Sequence, residues 1–260
     1  PTSYEENPTP MVDNHMITSY LDKQNKWHFL DGTGKKAPIE LYTSFIQGKQ
    51  ALIGINKDSF QLVTVPVKDT NVSQTIDTVI MDVKDKLLVG KGNAILTGYD
   101  ALNYYYRTQS LTKEEKQDYF KRYFIKGNNK IEIKDIVLIN KDREPIYTSY
   151  NFKLPDYLRF NQNEMYVNLN LDNGAGLETI KDDRKIPVEF HHKTKTRNVV
   201  ILNIPDGYKV DYVPANETHG NEIIGFSNQY EVKNNKIVLT TDFYINTLLL
   251  QQKDFEKYNK

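Results

Sequence analysis

His15 and Asp31 are the residue types from which an oriented acid–base pair is made, and they flank a short hairpin-like stretch. In Asp13 to Leu21, residues 15, 17, 19 and 21 project to one side of an extended chain. On the return run, Asn25, Trp27, Phe29 and Asp31 do the same. With Asp22-Lys23-Gln24 as the loop, Leu21 opposes Asn25 and His15 opposes Asp31, and directly opposed residues share a face. A two-residue loop would instead put imidazole and carboxylate on opposite faces, so the juxtaposition depends on register. A carboxylate held against an imidazole fixes its tautomer and stabilises the imidazolium, which is the orienting half of a nucleophilic triad. The same spacing also suits a structural His–Asp contact at a strand end, and spacing leaves both readings open.

The nucleophile is what the chain lacks. It contains no cysteine, which excludes disulfides, thiolate metal sites and a cysteine nucleophile within its 260 residues. Other clusters are weaker. His191-His192 are adjacent, so on a strand they point to opposite faces and do not converge on one ion. His219 sits in a loop with Glu217 and Glu222, a poor metal site, and Asp182-Asp183 and Asp172-Asn173 are turn residues. Gly90-Lys91-Gly92 lacks the flanking pattern of a phosphate loop. Tyr104-Tyr105-Tyr106 could stack sugars or bases, but a helix packing aromatics onto a sheet is the commoner cause. No metal or other cofactor is expected.

The elements that must position these residues are mostly strands. Eighteen tyrosines, with abundant Thr, Asn and Lys, suit half-buried pleated surfaces joined by turns. The formal net charge is zero, so the broad basic footprint of a nucleic-acid binder is missing. No apolar run approaches the roughly 18 residues a spanning helix needs, and the first residues show no secretory leader. Strands are expected at 15–21, 25–31, 51–55, 60–65, 75–83 and 87–96. Further strands are expected at 131–139, 145–154, 165–171, 188–190, 198–204, 208–213, 223–232 and 236–245. Helices are expected at 39–47, 99–108 and 112–126. The last begins at the capping box Thr112-Lys113-Glu114-Glu115, presents Tyr119, Phe120, Tyr123 and Phe124 on one face, and stops at Gly127. Asp206-Gly207 and Asn234-Asn235 mark tight turns, and 251–260 reads as the start of a helix.

Three runs carry a family resemblance: Asn14-His15-Met16-Ile17, Trp27-His28-Phe29-Leu30-Asp31-Gly32-Thr33, and Ile46-Gln47-Gly48-Lys49-Gln50-Ala51-Leu52-Ile53. They resemble bacterial transglutaminase-like proteins, whose papain-like core carries Cys, His and Asp in chain order. Gly32 stands where proline is common in that pattern. Downstream, Lys185 to Phe190 and Leu202 to Val210 are similar to segments of the family's C-terminal β-rich domain of unknown function. The resemblance implies that His15 and Asp31 are the second and third triad members. It also implies that the partner is a cysteine-bearing segment upstream in the same polypeptide, that the substrate is a protein or peptide, and that the location is periplasmic or extracellular. The expected fold class is mainly β: the end of a transglutaminase-like α+β core with antiparallel strands (residues 1–65), then an antiparallel β-sandwich with one or two short helices (66–260). The rival expectation is a non-catalytic binding or structural β-sandwich protein that contacts a protein or glycan.

Overall fold

Turn chemistry fixes the longest strand pairs of the computed structural model, which describes residues 4, 11, 13–34, 36–125, 130–139, 145–171, 179–181 and 183–259. Asp85 and Lys86 both take positive φ and close the hairpin of β5 (Gln74–Lys84) and β6 (Leu87–Leu96). Asn234 and Asn235 do the same for β14 (Ile224–Lys233) and β15 (Lys236–Ile245). Two central residues with φ > 0 define the turn whose twist matches antiparallel strands, and Asn and Asp tolerate it best.

The expected mainly β fold is what the chain adopts. Its largest unit is one eight-stranded sheet, in the order β13-β14-β15-β12-β5-β6-β8-β7. The remaining members are β7 (Glu132–Ile139), β8 (Ile146–Leu154), β12 (Thr194–Asn203) and β13 (Glu217–Gly220). The sheet is mixed rather than purely antiparallel, because β12 runs parallel to β5. Four two-stranded sheets surround it. They are β1 (Thr18–Leu21) with β2 (Trp27–Leu30), β3 (Gln50–Asn56) with β4 (Ser59–Thr64), β9 (Arg159–Asn161) with β10 (Glu164–Tyr166), and β11 (Val188–Glu189) with β16 (Leu249–Leu250).

Two helices cover part of the large sheet: α1 (Gly98–Thr108) and α2 (Lys113–Tyr123). The capping box is formed, with Glu115 N–H donating to Thr112 Oγ1 and Thr112 N–H to the Glu115 carboxylate. The stop at Gly127 lies outside the described residues. Rings run from the helices to the strands in sequence: Tyr104 on Phe120 at 5.0 Å, Phe120 on Phe124 at 5.8 Å, and Phe124 on Tyr150 at 4.2 Å. The last ring lies over β6 where it passes Gly92, the register partner of Tyr150. Gly90 likewise faces Phe152, so the two glycines flanking Lys91 make room for core aromatics rather than for a phosphate.

Three expected elements differ. Of 39–47, only Ser44–Ile46 forms a turn of 3₁₀ helix. Leu41 packs with Tyr99 and Leu102, whereas the next residue, Tyr42, packs with Phe29, Ile46 and Ile53, a divergence natural to extended chain. Residues 208–213 alternate like a strand but are not one. Both edges of the preceding β12 are already filled, by β5 and β15, so these residues cannot turn back to pair with it. Of 165–171 only the first two residues are strand, as the end of β10, whereas the end of the chain forms the expected short helix, α3 (Phe255–Asn259).

A Cβ at position 92 would stand 2.1 Å from Cζ of Tyr150, whose ring is 1 % exposed and held from the other side by Phe124. The backbone entropy gained by Gly→Ala, at most about 1 kcal/mol, is outweighed by overpacking of roughly 1–3 kcal/mol. Gly92→Ala is therefore expected to lower the denaturant midpoint with an unchanged m-value, and a neutral or stabilised variant would refute this packing account. A second expectation concerns the sheet. A fragment of residues 66–260 should unfold in one cooperative transition. A fragment of 163–260, which loses the β5 partner of β12, should not, as circular dichroism melts will show.

Candidate functional site

The hairpin β1–β2 closes through Asp22. Its N–H donates to Lys26 O at 3.0 Å, Asn25 N–H donates to Asp22 O at 3.1 Å, and Asn25 takes φ 59°. This is a three-residue loop ending in a left-handed residue, a common hairpin closure. It spans 23–25 rather than the expected 22–24, because the Asp22 carboxylate accepts from the N–H groups of Gln24 and Lys26, both at 2.9 Å. Leu21 accordingly pairs with Trp27, not Asn25. The register moves by two positions rather than one, so the alternation of faces is preserved. Residues 15 and 31 lie beyond the last paired residues, Thr18 and Leu30, on the face that carries Ile17, Trp27 and Phe29.

His15 Nε2 lies 2.8 Å from Asp31 Oδ2. The Asp31 side chain is 1 % exposed and that of His15 22 %, so the carboxylate is enclosed while the imidazole keeps an open side. Three further donors serve the carboxylate: the Thr33 N–H at 3.0 Å and the Thr33 hydroxyl at 2.7 Å, both to Oδ1, and the Thr43 hydroxyl to Oδ2. Burial pushes the Asp31 pKa up. The hydrogen bonds from Thr43, Thr33, His15 and the Thr33 backbone outweigh it and bring the value down to about 2. At neutral pH Asp31 is an ionised, acceptor-only group. Nε2 of His15 is then the donor of that hydrogen bond, and in the neutral ring Nδ1 is the nitrogen with the lone pair. The Phe45 ring meets the imidazole edge-on, centroids 4.8 Å apart at 72°. This arrangement can take a proton at Nδ1 and hold the resulting imidazolium against a buried carboxylate.

The sequence pointed to His15 and Asp31, and contained Thr33 only as part of the run that carries the resemblance; it pointed to neither Thr43 nor Phe45. Both missed residues belong to the stretch read as helix. The 3₁₀ turn at Ser44–Ile46, preceded by extended Thr43 (φ −56°, ψ 141°), delivers the hydroxyl to one side and the ring to the other.

The hairpin's opposite face holds a second His–carboxylate pair. His28 Nε2 lies 2.7 Å from Asp22 Oδ2, with the Tyr20 ring stacked on His28 at 4.6 Å. Asp22 is committed to the turn, its pKa lowered first by His28 and then by the Lys26 backbone. That pair closes the hairpin. A third involves His192, whose Nε2 lies 3.2 Å from Asp100 Oδ1. Its neighbour His191 does not join it. Among the described residues no group of three or more His, Asp or Glu could hold a metal ion, and no helix is long and apolar enough to cross a membrane.

Comparison with known proteins bears on the other end of the chain. A family model described as a domain of unknown function with a solved structure (DUF3858) matches residues 163–260. No curated protein matches the chain, and no solved structure does. The matched region holds β10 to β16 and leaves the His15–Asp31 hairpin outside it.

The depressed pKa has a stability consequence with a definite sign. Asp31 ionises at about 2 when folded against an ordinary 3.8, so the native state binds fewer protons between those values. Its contribution, on the order of 2 kcal/mol, is fully present above pH ~4 and fades as pH falls towards 2. Asp31→Asn should lower stability at pH 7 and flatten the dependence in that window. An unaltered slope, measured by urea unfolding between pH 2 and 5, would show that Asp31 is not the group responsible.

Proposed function

We propose that this chain is the C-terminal, nucleophile-lacking portion of a transglutaminase-like cysteine acyl-transferase or peptidase. Residues 1–65 contribute the triad His15 and Asp31, and residues 66–260 form an accessory β-rich domain. The observation that carries this reading is the contact of His15 Nε2 with a buried, ionised carboxylate, which leaves Nδ1 uninvolved in that contact.

The chemistry follows from that assignment. A thiol on a cysteine-bearing segment of the same polypeptide gives its proton to Nδ1, and the thiolate attacks an amide carbonyl of a protein or peptide. The imidazolium, held by Asp31, then gives the proton to the departing amine as the C–N bond breaks, leaving a thioester. Water or a second amine gives a proton to His15 as it attacks the thioester, and the proton returns to sulfur when the thiol leaves. Thr33 and Thr43 do not touch the reacting atoms. They hold Asp31 ionised and fixed, which sets the tautomer. The chain contains no cysteine, so in this reading the imidazole faces the substrate without a thiol beside it. The resemblance adds a periplasmic or extracellular location to the proposal.

The test compares this chain with the polypeptide that includes the cysteine-bearing segment, using release of amine from a peptide amide. The chain alone should show no turnover. The longer polypeptide should turn over, with kcat reduced roughly 10⁴-fold by His15→Ala and about 10²- to 10⁴-fold by Asp31→Asn. Turnover by the chain alone, or a longer polypeptide indifferent to His15→Ala, would sink the proposal. Indifference would leave the hairpin as scaffold in a binding or structural protein.

A further inference from the structure

A concave site lies between α1 and α2, on elements that the hairpin does not include. It is an open cleft of about 180 Å³. An engineered cavity of roughly 150 Å³ accepts a benzene ring, so this volume suits one six-membered ring. The α1 wall presents Asp100, Asn103 and Arg107, spaced to fall along one helical face. The α2 wall presents Tyr119 and Tyr123, their rings 6.4 Å apart and within 21° of parallel.

The polar groups of this cleft divide into committed and uncommitted ones. Asp100 already accepts from the Thr75 hydroxyl at 3.3 Å and meets His192 Nε2 at 3.2 Å. Burial pushes the Tyr123 hydroxyl up to about 12, against a hydrogen bond with Thr75, so it stays a neutral phenol. The side chains of Asn103 and Arg107 are exposed, and neither makes a hydrogen bond or ion pair with the side chain of another described residue. An uncommitted guanidinium at a cleft selects a carboxylate or similar oxyanion. A neighbouring amide, a phenol and a carboxylate with lone pairs remaining suit hydroxyl groups. Tyrosine faces suit the C–H face of a saturated ring. A small, half-aromatic cleft with convergent polar groups and one free cation fits a ring bearing both hydroxyls and a carboxylate.

We propose that the α1–α2 cleft binds a uronic-acid unit of an acidic saccharide, with the carboxylate on Arg107, hydroxyls on Asn103 and Asp100, and the ring against Tyr119. This stands apart from the acyl-transfer reading, since none of its residues lies in the hairpin.

The test is a titration of the ¹⁵N-labelled chain with D-glucuronate, D-glucose and acetate, following backbone amide shifts. Glucuronate is expected to move the amides of α1 and α2 around the cleft with a Kd of roughly 1 mM, typical of a weak single-sugar ligand. Glucose and acetate should each bind at least about tenfold more weakly. Arg107→Ala should bring glucuronate down to the level of glucose, and Asn103→Ala should weaken it without abolishing it. Both side chains are exposed, so the rest of each variant's spectrum should stay in place and certify the fold. The proposal is overturned if cleft amides stay still well above that concentration, if Arg107→Ala titrates like the wild type, or if glucose or acetate matches glucuronate.

Discussion

Between β5 and β12 the backbone is paired in parallel from Gln74 with Lys195 to Met81 with Leu202. Parallel neighbours cannot be joined by a tight turn, and their connection must leave the sheet and return. In this molecule the excursion includes α1, α2 and the strands β6 to β11. Its length costs less than intuition suggests, because each doubling of a loop adds only about 0.6 kcal/mol of closure entropy. The ladder has antiparallel neighbours on both sides, β6 beyond β5 and β15 beyond β12. Without it the sheet would fall into two antiparallel halves, each with a long exposed edge. The core reflects the same join: Val79 and Met81 from one half and Val200, Leu202 and Leu239 from the other belong to one buried cluster. The matched family region, residues 163–260, therefore shares its sheet and its core with residues outside it.

At the hairpin the governing constraint is a different one. A carboxylate with 1 % of its side chain exposed must be surrounded by donors or become neutral. Asp31 has donors from three directions: its own turn at Thr33, the segment before β1 at His15, and Thr43 just before the 3₁₀ turn. These segments are separate in sequence, and the carboxylate brings them together. That explains why the imidazole is well oriented although it lies past the last paired residue of β1. His28 and Asp22 show the contrast: a contact of similar length, more exposed on both sides, in which the carboxylate mainly secures its own loop.

What the sequence made legible was local. The β5–β6 and β14–β15 hairpins, the capping box of α2 and the aromatic face of that helix each rest on a few neighbouring residues, and all are present. The parallel pairing of β5 with β12 had no local signature, since nothing in either strand names a partner so far away. Residues 208–213 show the converse: they alternate like a strand yet join no ladder, so the pattern alone does not make one. At the candidate site, His15 and Asp31 were legible by type and by resemblance. The register was not, because it turned on whether Asp22 ended the strand or began the loop. The side chain of Asp22, bonded to two backbone N–H groups, decided that. Thr43 was hidden because its role needs extended backbone where the pattern suggested helix.

Tyr99 joins the two regions. Its N–H donates to Ser73 Oγ at 2.8 Å, its hydroxyl donates to Tyr42 O at 2.8 Å, and its ring lies against His192 at 5.1 Å. Tyr42 immediately precedes Thr43, which holds Asp31, and Tyr99 immediately precedes Asp100, which lines the α1–α2 cleft. One buried phenol thus ties the segment that completes the His15–Asp31 pair to the helix that forms one wall of the α1–α2 cleft. A contiguous route of this kind is not in itself energetic coupling, which requires an element with two arrangements that both sites bias. What it supplies is fixity. The hydroxyl of Tyr99 is enclosed, and burial raises its pKa, so it remains a neutral donor to the Tyr42 carbonyl across the ordinary pH range. The segment around Thr43 is thereby referenced to the large sheet through α1, rather than only to the small hairpins beside it. A dyad placed beyond the end of a short two-stranded ladder gains from that anchorage the positional certainty that its own strands are too short to provide.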